Sequence, residues 1–106
     1  MINSGGFNVA PREVERVLSS FPGVEEVVVV GVPHPRWGSS IAAMVKLLPE
    51  AVATVDEITS FARPRLGFRC PKVMALVDGI PKTAYGKVDR QEVIDVLTSV
   101  TGEVAR

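Results

Sequence analysis

The run Val-Glu-Glu-Val-Val-Val-Val-Gly-Val, residues 24–32, constrains this chain more than any other segment. Four consecutive valines break polar alternation, and β-branched side chains lose rotamer freedom in a helix, so the segment reads as a strand with no face left for water. Such a strand is expected to be central in its sheet and covered on both sides. Pro22-Gly23 stops whatever precedes it, and the two prolines and a glycine within residues 33–38 turn the next stretch into a loop.

The flanking segments supply the cover. Residues 11–21 read as a helix, with Val14, Val17, Leu18 and Phe21 on one stripe and Arg12, Glu15, Arg16 and Ser19 largely elsewhere. Pro11 suits the first turn, while Ala10 is a poor cap. Residues 40–48 form a second strand. Thr54 and Glu57 have capping-box spacing before a helix with Ile58, Phe61, Ala62 and Leu66 on one side, and Pro64 inside that pattern predicts a kink or an early end. Residues 72–77 read as a third strand and 79–86 as turns. Asp89 and Glu92 repeat the capping spacing ahead of a last helix carrying Val93, Val96, Leu97 and Val100, with a frayed tail beyond. The order predicts one α+β domain over residues 1–106, a small three-stranded sheet covered by helices.

Composition narrows the function classes. A chain of 106 residues with 46% hydrophobic content suits a single globule, and 12 basic against 12 acidic residues give no net field to recommend nucleic acid or an anionic membrane as partner. The single cysteine, Cys70, excludes an internal disulfide and is compatible with a reducing cytoplasm, the expected location. No apolar run approaches the roughly 18 residues of a membrane span, and Met-Ile-Asn-Ser-Gly-Gly lacks signal-peptide features.

Several residues are candidates for chemistry, each with a plainer alternative. Gly5 and Gly6 permit close backbone approach, to cradle a phosphate or line a narrow channel, or they form an ordinary turn. Trp37, the only tryptophan, stacks on a base or anchors a partner, or caps the edge of the core. His34 has no second histidine to work with and reads as incidental. Arg63, Arg65, Arg69 and Lys72, interrupted by Phe68, can pair with phosphates, although a solvated helix end followed by a core phenylalanine is the simpler reading. The chain has no phosphate loop with G-K-S/T, no complete G-x-G-x-x-G fingerprint and no G-x-S-x-G elbow. What stands out is Pro-Lys-Thr-Ala-Tyr-Gly-Lys-Val-Asp-Arg, residues 81–90, in which a turn presents Lys87 just before a helix start, placed to orient a charged substrate or stabilise developing charge.

The motifs I-N-S-G-G-F-N-V-A-P-R-E-V-E, V-V-V-G-V-P, W-G and P-K-T-A-Y-G-K-V-D-R, in this order and spacing, resemble the C-terminal domain of acyl-CoA synthetases in the adenylate-forming superfamily. The resemblance runs through nearly the whole chain. It implies that Lys87 enters a cleft over a large N-terminal adenylation domain and contacts the substrate carboxylate and the nucleotide during adenylation. It further implies that the domain rotates on a hinge, that Gly5 and Gly6 then help form the pantetheine passage, and that Trp37, Phe68, Arg69 and Lys72 lie at or beside positions contacting coenzyme A. The hinge residue of the family falls just before Met1-Ile2, so the chain is expected to begin beyond it and to lack the N-terminal domain. His34 stands where the family often has aspartate, and Ser39 where it often has glutamate.

The resemblance therefore implies a mobile domain of an ATP-dependent carboxylic acid:CoA ligase, with ATP, Mg2+ and coenzyme A used by the full-length enzyme and no cofactor held tightly by this domain alone. No metal ligands are expected within it, and the isolated chain is expected to be inactive. Selection of the acid, whether fatty, aryl or short-chain, belongs to the other domain. The alternative is a stand-alone binding or regulatory module with the same fold, which coding sequence for an ATP-binding domain directly upstream would exclude.

Overall fold

The computed structural model describes residues 1–104. In chain order the elements are β1 (Ile2–Ser4), β2 (Phe7–Val9), α1 (Pro11–Ser19), β3 (Val24–His34), β4 (Gly38–Leu47), α2 (Val55–Leu66), a 3-10 turn (Gly67–Arg69), β5 (Val73–Val77) and α3 (Arg90–Val104). The three expected strands are β3, β4 and β5. A short hairpin, β1 and β2, extends the sheet to five strands from the segment read as a glycine turn.

The centre of the sheet is β4. It pairs antiparallel with β3 along one side, while its other side meets β1 at Gly38 and runs parallel to β5 from Ala42 to Lys46. The expectation that the valine run is central is thus corrected, because β3 pairs only with β4. Its apolar continuity comes from cover on two faces. Val29 joins Val14 and Leu18 of α1 and Ile58, Ala62 and Leu66 of α2, whereas Val28, Val30 and Val32 join Val93 and Leu97 of α3. Alternate side chains of a strand point to opposite faces, so helices on both sides demand apolar residues at every position.

The free edge of β3 is blunted rather than paired. Val29 N–H donates to Glu15 Oε2 of α1 at 2.9 Å, which shows that odd-numbered amides face outward. By the same alternation Pro33, which has no N–H, faces the open edge.

Local signals act largely as the residues predict. Thr54 and Glu57 form both halves of a capping box, and Ala10 supplies no side-chain cap to α1. Pro64 neither ends α2 early nor leaves its last turn unsupported: the helix continues to Leu66, with Ala62 and Leu66 buried and Arg65 Nη1 donating to the Phe61 carbonyl at 2.6 Å. Helical backbone also runs past Val100, where fraying is expected, to Val104; Ala105 and Arg106, the end of that tail, lie outside the described residues. Among the described residues no helix is long and apolar enough to cross a membrane.

Candidate functional site: two ends of one sheet

Lys87 sits on a tight hairpin between β5 and α3. Lys82 and Val88 pair antiparallel, Thr83 N–H donates to the Lys87 carbonyl at 2.7 Å, and Gly86 N–H donates back to the Thr83 carbonyl at 3.0 Å. Gly86, at φ +83°, takes the left-handed conformation that closes the turn. Thr83 Oγ1 accepts from Tyr85 N–H at 3.2 Å. The hairpin base is tied down by Asp89 N–H to the Pro81 carbonyl at 2.9 Å and by Lys82 Nζ, 3.1 Å from Glu26 Oε2 at the start of β3.

These bonds fix the backbone of the loop while the Lys87 side chain is exposed, with no hydrogen bond or ion pair among the described residues. Asp89, two residues on, accepts from Glu92 N–H at 3.2 Å and caps α3, as its spacing predicts. A lysine on a closed hairpin with no counter-ion among the described residues leaves its ammonium open to an external anion.

The other candidates gather at the opposite end of the sheet. Gly5 and Gly6 form the β1–β2 turn with φ of +59° and +87°, and a Cβ built on either would meet nothing within 4 Å. Gly5 N–H donates to the Trp37 carbonyl at 3.1 Å, which joins this turn to the loop between β3 and β4. Lys72 Nζ lies 5.8 Å from the centre of the Trp37 ring. Phe68, on the 3-10 turn, is 61% exposed and packs against Phe7, with ring centres 5.0 Å apart. The simpler reading of Phe68 as a core residue is therefore wrong: the core position next to it is Cys70, and the phenylalanine projects outward. Arg69 is committed within the chain, its guanidinium paired with Glu13 and its Nε donating to the Leu66 carbonyl at 3.3 Å.

Burial pushes the Cys70 thiol above its ordinary range, with Arg63 and Lys72 pulling weakly the other way. It is a packing residue of the core beneath α1 and α2, not an activated nucleophile. The two candidate surfaces are distinct. From Glu26, where the Lys87 hairpin is anchored, to His34, where the aromatic loop begins, β3 extends about 26 Å at ~3.3 Å per residue.

Two participants escape sequence reasoning. Phe7 occurs in the motif, but only the hairpin pairing shows that it meets Phe68. His34, read as incidental, stacks on Trp37 with ring centres 4.2 Å apart and planes at 8°, and its Nδ1 accepts from the N–H groups of both Arg36 and Trp37 at 3.1 Å. A histidine followed within three residues by tryptophan at a strand end was the only local signal.

Residues 13–87 match the family model described as AMP-binding enzyme C-terminal domain. The chain is 41% identical over 103 residues to a 4-chlorobenzoate–CoA ligase of Pseudomonas sp. (strain CBS-3), covering 95% of this chain and 20% of that protein. It is 38% identical over 96 residues to a long-chain-fatty-acid–CoA ligase of Bacillus subtilis (strain 168), covering 90% and 17%. The crystal structure of apo MatB from Rhodopseudomonas palustris superposes with a TM-score of 0.87 at 31% identity, over 94% of this chain and 20% of that one. The chain spans about a fifth of the length of these relatives.

Proposed function

The chain belongs to the AMP-binding enzyme C-terminal domain family, and from that premise we propose that it is the mobile catalytic domain of an ATP-dependent carboxylic acid:CoA ligase. The observation that carries the reading is the separation of two chemically different surfaces: an unpaired lysine on a closed hairpin at one end of β3, and a glycine turn beside aromatic and cationic side chains at the other. One domain with two working ends suits two half-reactions that need different groups over the same substrate.

In the first, a carboxylate oxygen attacks the α-phosphorus of magnesium ATP; the acyl-adenylate forms and pyrophosphate leaves. The Lys87 ammonium bridges the carboxylate and the phosphate while negative charge builds, and forms no covalent bond. In the second, the domain has turned on its hinge. The thiol of coenzyme A attacks the acyl carbonyl, loses its proton, and AMP departs. Gly5 and Gly6, lacking side chains, leave width for the pantetheine arm. Trp37 and Phe68 offer ring faces to the adenine, and Lys72 offers charge to the phosphates. Arg69 contributes when a phosphate replaces Glu13 as its partner.

The N-terminal adenylation domain is the proposed partner and supplies the acid pocket. A 4-chlorobenzoate ligase and a long-chain-fatty-acid ligase share similar identity with this chain, so the acid is not encoded in these residues. Alone, the chain offers no enclosure for ATP and acid together and is inactive; pyrophosphate release from it with ATP and a carboxylate would contradict this.

The decisive test is Lys87→Ala in the full-length ligase, with adenylation and discharge of supplied acyl-adenylate measured separately. Loss of about 2–5 kcal/mol of transition-state stabilisation slows adenylation by about 30- to 5,000-fold and largely spares discharge. Equal losses in both steps would overturn the assignment.

A further inference from the structure

The last residue of β3 and the loop that follows it carry the chain's only histidine and only tryptophan, and the two are mechanically linked. The single in-plane lone pair of His34 Nδ1 is shared by two backbone N–H groups, an arrangement open only to the neutral tautomer with its hydrogen on Nε2. The same ring lies flat on the indole. Trp37 in turn accepts from Gly5 N–H through its carbonyl. One imidazole thus sets the backbone of the turn, the plane of the aromatic and, through it, the position of the β1–β2 turn.

We propose that His34 is a pH-sensitive positioning residue: its neutral imidazole clasps the Arg36–Trp37 turn, and a proton taken from solvent at Nδ1 opens it. Protonation converts Nδ1 from acceptor to donor, so two hydrogen bonds are lost together and two N–H groups are left facing a third. An imidazolium over indole gains some cation–π attraction, but at an exposed ring this is no larger than one of the bonds lost.

The charged neighbours are cations. Arg36 belongs to the same turn, and Lys72 approaches Trp37 from the segment ahead of β5. Gly38 and Ser39 of β4 and Gly5 and Gly6 of the hairpin bring no charge. Among the described residues no carboxylate is recorded against the ring to hold an imidazolium in place. For the surface as a whole, the consequence is that the aromatic face is ordered when His34 is neutral and loosened when it is charged. That this face serves coenzyme A rests on the function proposed above; the clasp itself does not.

Because each residue occurs once, this chain reports on both without labels. Acidification from about pH 8.5 is followed by the His34 ring proton resonances, which should shift in one step as the clasp opens. Trp37 emission should fall with the same midpoint, and the Arg36 and Trp37 amides should exchange about fivefold faster after correction for intrinsic rates. In His34→Asn the carboxamide oxygen accepts the same two N–H groups at every pH, so emission should stay flat. Wild-type emission that does not follow the histidine titration, or a His34→Asn chain that titrates like wild type, would overturn the clasp. In the full-length ligase, His34→Asn should preserve acyl-adenylate discharge at a pH where the wild-type clasp has opened and wild type loses it. If the chain shows the clasp and the ligase shows no such difference, the coenzyme A assignment of this face falls.

Discussion

Gly6 offers a way to separate the fold from the proposed thiol passage. Its φ of +87° is a conformation that L-residues adopt with strain, yet an added Cβ would meet no atom of this chain within 4 Å. The folding penalty of Gly6→Ala is therefore conformational alone, about 1–2 kcal/mol for the strained backbone, offset by about 0.4–1 kcal/mol from the stiffer unfolded chain. A net loss of about 0–1.6 kcal/mol corresponds to a fall of no more than roughly 13 °C in Tm for a domain near this size. Gly6→Leu should lose about the same, since the extra atoms enter open space. In the full-length ligase the two should diverge: discharge of acyl-adenylate by coenzyme A should be mildly slowed by alanine and strongly slowed by leucine, with adenylation similar in both. Thermal melts of the chain and rapid-mixing measurements of each half-reaction decide the matter. Leucine as competent as alanine in discharge would show that nothing passes close to Gly6, and a leucine penalty well above the alanine one in the melt would show that the space is not open.

Two further outcomes follow from the packing. Glu15→Ala removes the acceptor for the half-buried Val29 N–H and should destabilise the chain by about 1–3 kcal/mol in urea denaturation, with Glu15→Gln losing less because an acceptor oxygen remains; equal losses for the two would mean that the bond contributes nothing. Cys70, whose thiol burial holds in the protonated form to higher pH than a free cysteine, should resist alkylation in the native chain at about pH 8 and react readily once unfolded. Reaction of the folded protein at the unfolded rate would show that the thiol is neither buried nor raised.

Part of the candidate site is legible in one dimension because its determinants are local. The hairpin that carries Lys87 needs a glycine at positive φ, and Gly86 sits immediately before the lysine; Asp89 and Glu92 mark the helix that follows. Gly5 and Gly6 likewise announce a turn. The pairing of Phe7 with Phe68 is of another kind, since those residues meet only because β1 pairs with β2 and the 3-10 turn after α2 lies beside them. Phe68 itself illustrates the limit: a phenylalanine among arginines reads as core by hydrophobicity, and only the packing shows that Cys70 fills the core while the ring faces out.

Periodicity, capping spacing and turn residues by themselves determined the three helices, the three longer strands, the α+β class and the turn bearing Lys87, because each depends on neighbours within a few residues. Strand order was decided only in three dimensions. A run of valines reports that both faces are covered but carries no information about its lateral neighbours, and β3 proves to be an edge whose outward amide is bonded by Glu15 and whose Pro33 has none to offer. The same holds for His34, whose chemistry depends on which nitrogen meets which backbone N–H. Helix and turn signals act through local backbone geometry, whereas edges, stacks and shared acceptors are contacts between distant segments that exist only after the sheet and its covering helices have closed around one another.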